Sequence, residues 1–264
     1  MTQLGKPLDG HHALVTGAGS GIGAATALAL ARAGARVSLA GRRRAPLEDV
    51  ARGMPEGSST VVDAFDVTSE DAVSVGLERA RAALGLVTIL VNNAGEAPSA
   101  PFDKTDPGLW SRVLAVNLNG AYLVSRAVLS DLKARGAGAR LINIASTAGL
   151  VGYAYVAAYC AAKHGLIGLT RALALEFAKT GITVNAVCPG FTETPLVARA
   201  LETIVAKTGR SEELAKAELI KSNPQGRLVR PEEVADAVLW LALPGAASIN
   251  GQAIVVAGGE VMVG

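Results

Sequence analysis

Short apolar runs alternate with amphipathic segments along the 264 residues of this chain. The apolar runs are rich in Val, Ile and Leu and predict seven strands, at residues 12–16, 36–40, 60–65, 88–92, 140–145, 183–188 and 253–257. Apolar positions at helical spacing predict helices at residues 22–33, 70–84, 109–135, 156–179 and 231–241. Buried strands separated by helices are typical of parallel sheets. The pattern predicts an α/β fold, a doubly wound parallel sheet with helices on both faces.

Length and composition favour one domain over residues 1–264, because half of the residues are apolar and such a chain buries a large core. The longest stretch without a predicted strand, at about 190–226, combines charged helical turns with a Pro-Gly turn. Long excursions from a compact sheet usually cover a binding site. We therefore expect a substrate loop there, with a solvated helix pair or a subunit contact as the alternative.

Charge and cysteine content favour small-molecule chemistry in a reducing compartment. The net charge is only +2, with basic residues spread along the chain, which predicts neither a nucleic-acid partner nor a membrane partner. Cys160 and Cys188 are interpreted as buried thiols, and residues 1–10 lack the apolar run of a signal peptide. No uninterrupted apolar window has the length of a membrane span. We expect a soluble, cytoplasmic protein.

The three histidines, His11, His12 and His164, have no cysteine or acidic partner at metal-ligand spacing. The sequence therefore predicts no metal site. His164 is interpreted as a residue that caps or packs beside its helix.

Tyr159 and Lys163 lie four residues apart in one predicted helix. Residues at this spacing share a helix face, about 6 Å apart along the axis. A tyrosine loses its proton near pH 10 unless a positive charge favours the phenolate, and an adjacent ammonium group does so. The pair is a candidate proton donor and acceptor for a carbonyl or an alcohol, although exposed helices often carry such pairs without function.

A glycine-rich segment follows the first predicted strand and opens the first predicted helix. Its glycines Gly17, Gly21 and Gly23 allow a tight turn and let the backbone approach a pyrophosphate at the helix N-terminus. The spacing is one residue longer than in the commonest dinucleotide-binding motif. Its position between a strand and a helix predicts a nucleotide pocket.

Further motifs follow the later predicted strands: Asn92-Asn93-Ala94-Gly95, Ser146, the Tyr159 and Lys163 pair, and Pro189-Gly190. Together with the glycine segment, they resemble the short-chain dehydrogenase/reductase family over nearly the whole chain. The resemblance implies a Rossmann-type fold and an oxidoreductase that uses NAD or NADP.

The resemblance also implies a catalytic set of Asn117, Ser146, Tyr159 and Lys163. Ser146 would hydrogen-bond the substrate oxygen and Tyr159 would exchange a proton with it, while hydride moves between substrate and nicotinamide. Lys163 would lower the pKa of Tyr159 and bind the nicotinamide ribose, and Asn117 would help to hold a water that links the lysine to solvent. Without the resemblance, Asn117 would be interpreted as an asparagine whose side chain hydrogen-bonds its own helix backbone, and Ser146 as a helix cap.

The end of the second predicted strand favours NADP, with NAD as the alternative. Gly41 occupies the place where a carboxylate would bind the ribose of NAD, and Arg42, with Arg43 beside it, offers a guanidinium for the 2′-phosphate. A solvated basic turn is the other interpretation. By resemblance, Asp66 and Val67 contact adenine, and Thr194 bonds the carboxamide. The remaining expected cofactor residues are Gly17, Ser20, Gly21, Ile22, Gly23, Asn93, Ala94, Gly95, Tyr159, Lys163, Pro189, Gly190 and Thr192.

The substrate is less defined by the sequence. An apolar pocket from Leu150, Val151, Val156, Ala97 and Pro98 would suit a ketone or a 3-oxoacyl group. Segments 188–195, 226–227 and 231–234 resemble 3-oxoacyl thioester reductases and polyketide ketoreductases, which implies reduction of a 3-oxoacyl thioester or β-keto ester. A cyclic or secondary alcohol dehydrogenase using NAD is the alternative. A cofactor-sensing regulator without turnover is a more remote one.

The two longest predicted helices carry more apolar positions than one buried stripe needs. One of them presents small residues, Ala157, Ala158, Ala161 and Ala162, that permit close helix approach. We expect these helices to pair with a partner subunit and, with residues 253–264 as a second contact, to form a homotetramer. The alternative is that loops of the same chain cover them.

Overall fold

Seven parallel strands form a single sheet in the computed structural model, which describes residues 6–262 apart from the side chain of Lys207. The strand order is β3-β2-β1-β4-β5-β6-β7, and every neighbouring pair is parallel. The strands are β1 (His12–Thr16), β2 (Arg36–Ala40), β3 (Ser59–Val62), β4 (Ile89–Asn92), β5 (Arg140–Ile144), β6 (Thr183–Pro189) and β7 (Ala253–Val256). The predicted doubly wound parallel sheet is confirmed.

Helices connect the strands and cover both faces of the sheet. They are α1 (Gly21–Arg32), α2 (Arg44–Arg52), α3 (Glu70–Leu84), α4 (Pro107–Leu114), α5 (Gly120–Arg135), α6 (Ala157–Phe177), α7 (Pro195–Thr208), α8 (Glu212–Ile220) and α9 (Pro231–Ala242). The segment at about 190–226, expected as charged helical turns, holds the two regular helices α7 and α8. The α2 helix follows the arginine-rich turn after β2.

Side chains that alternate between the two faces of the sheet divide the core into two layers. Val15 and Val91 point to one face and pack with α1 and α9, whereas Leu14 and Leu90 point to the other face, toward α3 and α5. Successive strand side chains point to opposite faces, so a strand that is apolar at every position fills both layers. This is why the strands read as continuous apolar runs.

A buried polar network crosses the second layer. The Asn92 side-chain amide donates to Asn143 Oδ1 and to Ser125 Oγ, both at 2.9 Å, and the Asn143 amide donates to Thr170 Oγ1 at 2.9 Å. These four residues belong to β4, α5, β5 and α6. The network therefore fixes the two helices that carry Asn117 and Tyr159 against the two central strands.

The helix predicted at residues 109–135 runs from Pro107 to Arg135, and its hydrogen-bond pattern changes in the middle. Residues Ala115–Asn119 form a π-helical turn, in which the Gly120 amide donates to the Ala115 carbonyl five residues back. By length and mean hydropathy, 1.3, this helix could cross a membrane. Here Val124, Val128 and Leu132 are fully buried against the sheet layer, which is the position of a core helix.

Replacing Asn143 should destabilise the fold more than replacing an exposed polar residue. Asn143→Ala leaves the buried amide of Asn92 and the hydroxyl of Thr170 without a shared partner, and we expect the free energy of unfolding to fall by about 2 kcal/mol. Ser74, exposed on α3, is the control, and Ser74→Ala should change stability by less than about 0.5 kcal/mol. Equal stability of the two variants in urea unfolding would contradict the role of the network.

Candidate active site

The candidate site lies at the carboxyl edge of the sheet, where β1, β4, β5 and β6 all end. The strand order reverses direction between β1 and β4, and the crevice at such a switch point is where parallel α/β sheets bind ligands. The glycine segment follows β1, the Asn93 turn follows β4, Ser146 follows β5, and Gly190 follows β6. Parallel strands therefore bring together motifs that are far apart in the sequence.

The glycine segment has the backbone shape that a bound phosphate requires. Gly17 and Gly21 have positive φ angles of 65° and 54°, and a side chain at Gly23 would place its Cβ 2.4 Å from the Gly17 carbonyl oxygen. Ser20 precedes α1 without capping it through its side chain. The first backbone N–H groups of α1 are thus available to an anion, as in dinucleotide sites.

Asn93 shapes this loop from the adjacent strand end. Its side-chain amide donates to the carbonyl oxygens of Thr16, at 2.9 Å, and Gly17, at 3.2 Å. The backbone amides of Asn93 and Ala94 both donate to Thr16 Oγ1 at 3.0 Å. Asn93, expected to flank the cofactor, therefore also fixes the glycine turn to the end of β4.

A cleft opens between the glycine loop, the turn after β2 and the start of α7. Gly21 lies against α7, where a Cβ would come within 2.9 Å of Thr194 Cγ2. Of the expected cofactor residues, the cleft is lined by Gly17, Ser20, Gly21, Ile22, Arg42, Arg43, Asn93, Ala94, Gly95 and Thr194. Further lining residues that the sequence analysis did not name include Pro46, Leu47, Pro195, Leu196 and Arg199.

Three exposed arginines face this cleft. Arg42 and Arg43 follow β2, and Arg199 lies one turn into α7. Within the described part of the chain none of the three forms an ion pair, whereas Arg44 pairs with Glu48 at 2.6 Å. Sequence reasoning missed Arg199 because only the packing of α7 on the glycine loop brings it to the cleft. In the sequence, the only indication of this position was that Arg199 follows Thr194 by about one helical turn.

Tyr159 and Lys163 lie on one face of α6, as their spacing requires. The Lys163 ammonium is 5.6 Å from the centre of the Tyr159 ring and donates to the Ile144 carbonyl oxygen at 2.8 Å. Lys163 is 4% exposed. Loss of water around it lowers its pKa to about 8, although the Cys188 thiol partly opposes the shift.

The acidity of Tyr159 differs from what the sequence analysis expected. Tyr159 as a residue is half-buried, but burial of its hydroxyl end raises its pKa to about 12, and the Ser146 side chain only partly opposes this. Lys163 does not lower the pKa of Tyr159 here. Loss of solvation around the phenol outweighs the other effects, and the Lys163 ammonium donates its hydrogen bond to the Ile144 carbonyl oxygen. The expected phenolate stabilisation is therefore not seen in the protein alone. At neutral pH Tyr159 holds its proton.

Ser146 lies directly after β5 and caps the short 3₁₀ turn Thr147–Gly149. Its Oγ accepts a hydrogen bond from the Ala148 backbone amide at 3.1 Å. A serine hydroxyl has one proton and two acceptor sites, so this contact orients the oxygen and leaves the proton for another acceptor. The cap interpretation and the catalytic interpretation are therefore compatible.

Asn117 is buried in the π-helical turn, with 1% of its surface exposed. Its amide donates to the carbonyl oxygens of Glu96, at 2.8 Å, and Val113, at 3.0 Å, and its Oδ1 accepts from the Glu96 amide at 3.3 Å. The side chain thus holds the turn after β4 to the helix. A Cβ at Gly95 would lie 2.8 Å from Asn117 Oδ1 and 3.8 Å from Lys163 Nζ, which places Asn117 close to the lysine.

Besides Tyr159 and Lys163, the expected cofactor residues that do not line the cleft are Gly23, Asp66, Val67, Pro189, Gly190 and Thr192. Asp66 accepts from the backbone and hydroxyl of Thr68, which keep its pKa low, with a smaller contribution from the charge of Arg42. Val67 packs against Gly120. Thr192 donates to the Gly190 carbonyl at 2.9 Å, and Thr194 caps α7 through the Val197 amide. Gly23 lies against Gly17 and Asn93, and Pro189 is the buried last residue of β6.

The remaining polar candidates have structural contacts. His12 bonds Ser38 Oγ and the Gly85 carbonyl, both at 2.8 Å, and burial lowers its pKa. His164 bonds the Cys160 carbonyl on its own helix at 2.9 Å. Over residues 6–262, no three His, Cys, Asp or Glu side chains are grouped as metal ligands. Cys160 and Cys188 are both free thiols.

Comparison with known proteins identifies the family. The model of the short chain dehydrogenase family matches residues 11–204, and the chain belongs to this family of oxidoreductases. The acetoacetyl-CoA reductase of Rhizobium meliloti (strain 1021) is 41% identical over 248 residues, covering 94% of this chain and 97% of the relative. The cis-4-hydroxycyclohexanecarboxylate dehydrogenase of Sinomonas cyclohexanicum is 40% identical over 253 residues, covering 95% and 96%.

A solved structure of a family member has the same fold. The crystal structure of a variant of actinorhodin polyketide ketoreductase with NADPH matches with a TM-score of 0.88 and 39% identity, covering 95% of this chain and 97% of that one. The expected resemblance to ketoreductases of this family is confirmed.

The lowered pKa of Lys163 should appear in the pH dependence of stability. Between pH 8 and 10 the unfolded chain keeps the lysine proton that the folded protein releases, so unfolding takes up a proton and the free energy of unfolding rises with pH. We expect Lys163→Met to lose this rise, about 2 to 3 kcal/mol in the cofactor-free protein. The exposed Lys179 is the control, and Lys179→Met should keep it. Parallel pH profiles for wild type and Lys163→Met would refute the assignment.

Proposed function

We propose that this enzyme reduces a carbonyl group with NADPH, and that its substrate is a 3-oxoacyl thioester or a β-keto ester. The observation that carries the proposal is the placement of Ser146, Tyr159 and Lys163 at the sheet edge beside a glycine-lined cleft. Intact proton-transfer residues also argue against a cofactor-sensing regulator, which needs none of them for binding.

The cofactor residues fit a dinucleotide. Positive φ angles at Gly17 and Gly21 and an uncapped α1 make a cradle for a pyrophosphate. When bound, the nicotinamide cofactor supplies or accepts the hydride. Lys163 and the turn at Gly95 would hold its ribose end, since both lie close to Asn117 on the same side of the cleft.

The protein groups are arranged for proton donation to a carbonyl oxygen. Tyr159, with a pKa of about 12, keeps its proton at neutral pH and donates it as negative charge develops on the substrate oxygen. Ser146 offers the same oxygen its hydroxyl proton. Lys163, with a pKa of about 8, is mostly charged at neutral pH, and its ammonium group, which donates to the Ile144 carbonyl oxygen, lies beside Tyr159.

The apolar side chains between Ser146 and Tyr159 support a ketone or an acyl chain as the substrate. Leu150 and Val156 are half-buried and Val151 is 39% exposed, all in the loop between the catalytic serine and tyrosine. Tyr153 meets Phe191 edge to face, with ring centres 6.1 Å apart. We propose that residues 190–226, which include α7 and α8, form the substrate loop. A cyclic or secondary alcohol dehydrogenase remains the alternative, supported by the Sinomonas relative.

Removing the Tyr159 hydroxyl should abolish turnover and leave binding intact. Tyr159→Phe keeps the ring and its packing while removing only the proton donor, and we expect kcat with ethyl acetoacetate to fall by at least 100-fold. Thermal melting and NADPH affinity should match wild type. The exposed Tyr155 is the control, and Tyr155→Phe should keep its activity. Undiminished turnover by Tyr159→Phe would rule out the proposed proton donor.

Cofactor preference should follow the charges around the cleft. Arg42, Arg43 and Arg199 present three guanidinium groups to the cleft that form no ion pair within residues 6–262, and guanidinium binds phosphate through charge-assisted hydrogen bonds. Gly41 stands where a carboxylate would bind the ribose of NAD, and glycine has no side chain to supply it. We therefore propose NADP over NAD.

A double substitution, Gly41→Asp with Arg42→Leu, should reverse this preference. A Cβ at position 41 would meet only the flexible Leu47 side chain, 3.3 Å away, so the aspartate should be accommodated. We expect the ratio of the NADPH and NADH dissociation constants to change on the order of 100-fold toward NADH. Arg44→Leu, which removes an arginine paired with Glu48, is the control. A wild-type protein that binds NADH more tightly than NADPH would overturn the assignment.

We also propose that the chain assembles as a homotetramer in the cytoplasm, a location supported by its free thiols. Outer positions of the helices include Tyr122, 47% exposed, and Leu175, 82% exposed. The small-residue face is narrower than expected, because Ala158 and Ala162 pack into the chain's own core and only Ala161 is exposed. The C-terminal contact is described only as far as residue 262.

Light scattering coupled to size exclusion tests the assembly. We expect a species of about four times the 26.8 kDa chain mass at micromolar concentration. Leu175→Lys places a charge at the center of the proposed contact on α6 and should reduce the mass, whereas Val75→Lys, at an exposed position of α3, should not. A monodisperse species at the monomer mass would contradict the proposal.

A further inference from the structure

A carboxylate from the C-terminal segment lies between the loops that follow β5 and β6. Glu260 Oε1 accepts hydrogen bonds from the Tyr153 hydroxyl at 2.7 Å and from the Ser222 hydroxyl at 2.9 Å. A carboxylate only accepts, so the single Tyr153 proton goes to Glu260 and the Thr147 hydroxyl, 2.9 Å from the tyrosine oxygen, donates to it. A chain of hydrogen bonds thus runs from Thr147 to Glu260.

This chain connects Glu260 to the loop that follows β5. Thr147 follows Ser146 directly, and Tyr153 belongs to the loop between the catalytic serine and tyrosine. On its other side Glu260 lies against Gly190, where a Cβ would come within 2.7 Å of Glu260 Oε2. The carboxylate therefore follows β7 into the space between the loops after β5 and β6, where the substrate is expected.

The negative charge of Glu260 is not neutralised by the protein. In the described residues no lysine, arginine or histidine lies within ion-pair distance of it, and Oε2 accepts no hydrogen bond. The hydroxyl groups of Tyr153 and Ser222 donate to its Oε1. Two like charges in a half-buried site repel each other more strongly than in water.

We propose that Glu260 is a specificity-determining residue that excludes substrates with a carboxylate next to the reacting carbonyl and admits those with a neutral acyl group there. The inference rests on the proposed function and extends it: a 3-oxoacyl thioester or a β-keto ester is neutral at this end, whereas a free keto acid places its carboxylate beside Glu260. Glu260 also holds the Tyr153 loop to the segment after α8. The charge and the hydrogen bond can be separated by substitution.

Acetoacetate and acetoacetamide are a matched pair that tests the charge. They differ little in shape but one is an anion, and neither can accept a hydride from the enzyme–NADP⁺ complex, so binding is measured without turnover. We expect calorimetry to show acetoacetamide binding at least about tenfold more tightly than acetoacetate in the wild type. Glu260→Gln keeps an acceptor for Tyr153 and Ser222 and should bring the ratio of the two dissociation constants close to one.

Two variants separate the charge from the structure. Tyr153→Phe breaks the hydrogen bond but keeps the carboxylate, and it should weaken both ligands in similar proportion. Glu218→Gln removes one charge on exposed α8 and should leave the ratio unchanged. If Glu260→Gln keeps the wild-type ratio, or if the wild type prefers acetoacetate, the charge role is wrong. Failure to reduce ethyl acetoacetate would instead refute the proposed substrate class, because the binding ratio does not depend on turnover.

Discussion

The parallel arrangement of the sheet is the constraint on which the site depends. Every strand ends at the same edge, so each loop that leaves a strand there meets the loops of its neighbours. Glycines after β1, Ser146 after β5 and Gly190 after β6 come together for this reason. The buried network around Asn143 then fixes α5, which follows the π-helical turn of Asn117, and α6, which carries Tyr159, at the same edge.

Burial sets the chemistry of the groups that meet there. Loss of water raises the pKa of Tyr159 to about 12 and lowers that of Lys163 to about 8. Both shifts favour the neutral forms, so Tyr159 keeps its proton across the physiological pH range.

The strands, the parallel sheet and the family could be predicted from sequence because apolar runs and motif spacing are local signals. The π-helical turn at Asn117 could not, since such turns are rare, single-turn interruptions within α-helices. The direction of the Tyr159 shift was missed because desolvation depends on the whole surrounding packing. Arg199 and Glu260 were missed for a related reason: only the tertiary fold carries α7 and the C-terminal segment to the site.

Direct hydride transfer at this sheet edge is the central claim, and isotope labelling tests it. NADPH with deuterium at nicotinamide C4, prepared in each of its two stereochemical forms, is mixed with the enzyme and ethyl acetoacetate. The account predicts that one form transfers its deuterium to the carbinol carbon, as mass spectrometry of the product would show, while the other retains it. Product without deuterium from either form would contradict the account.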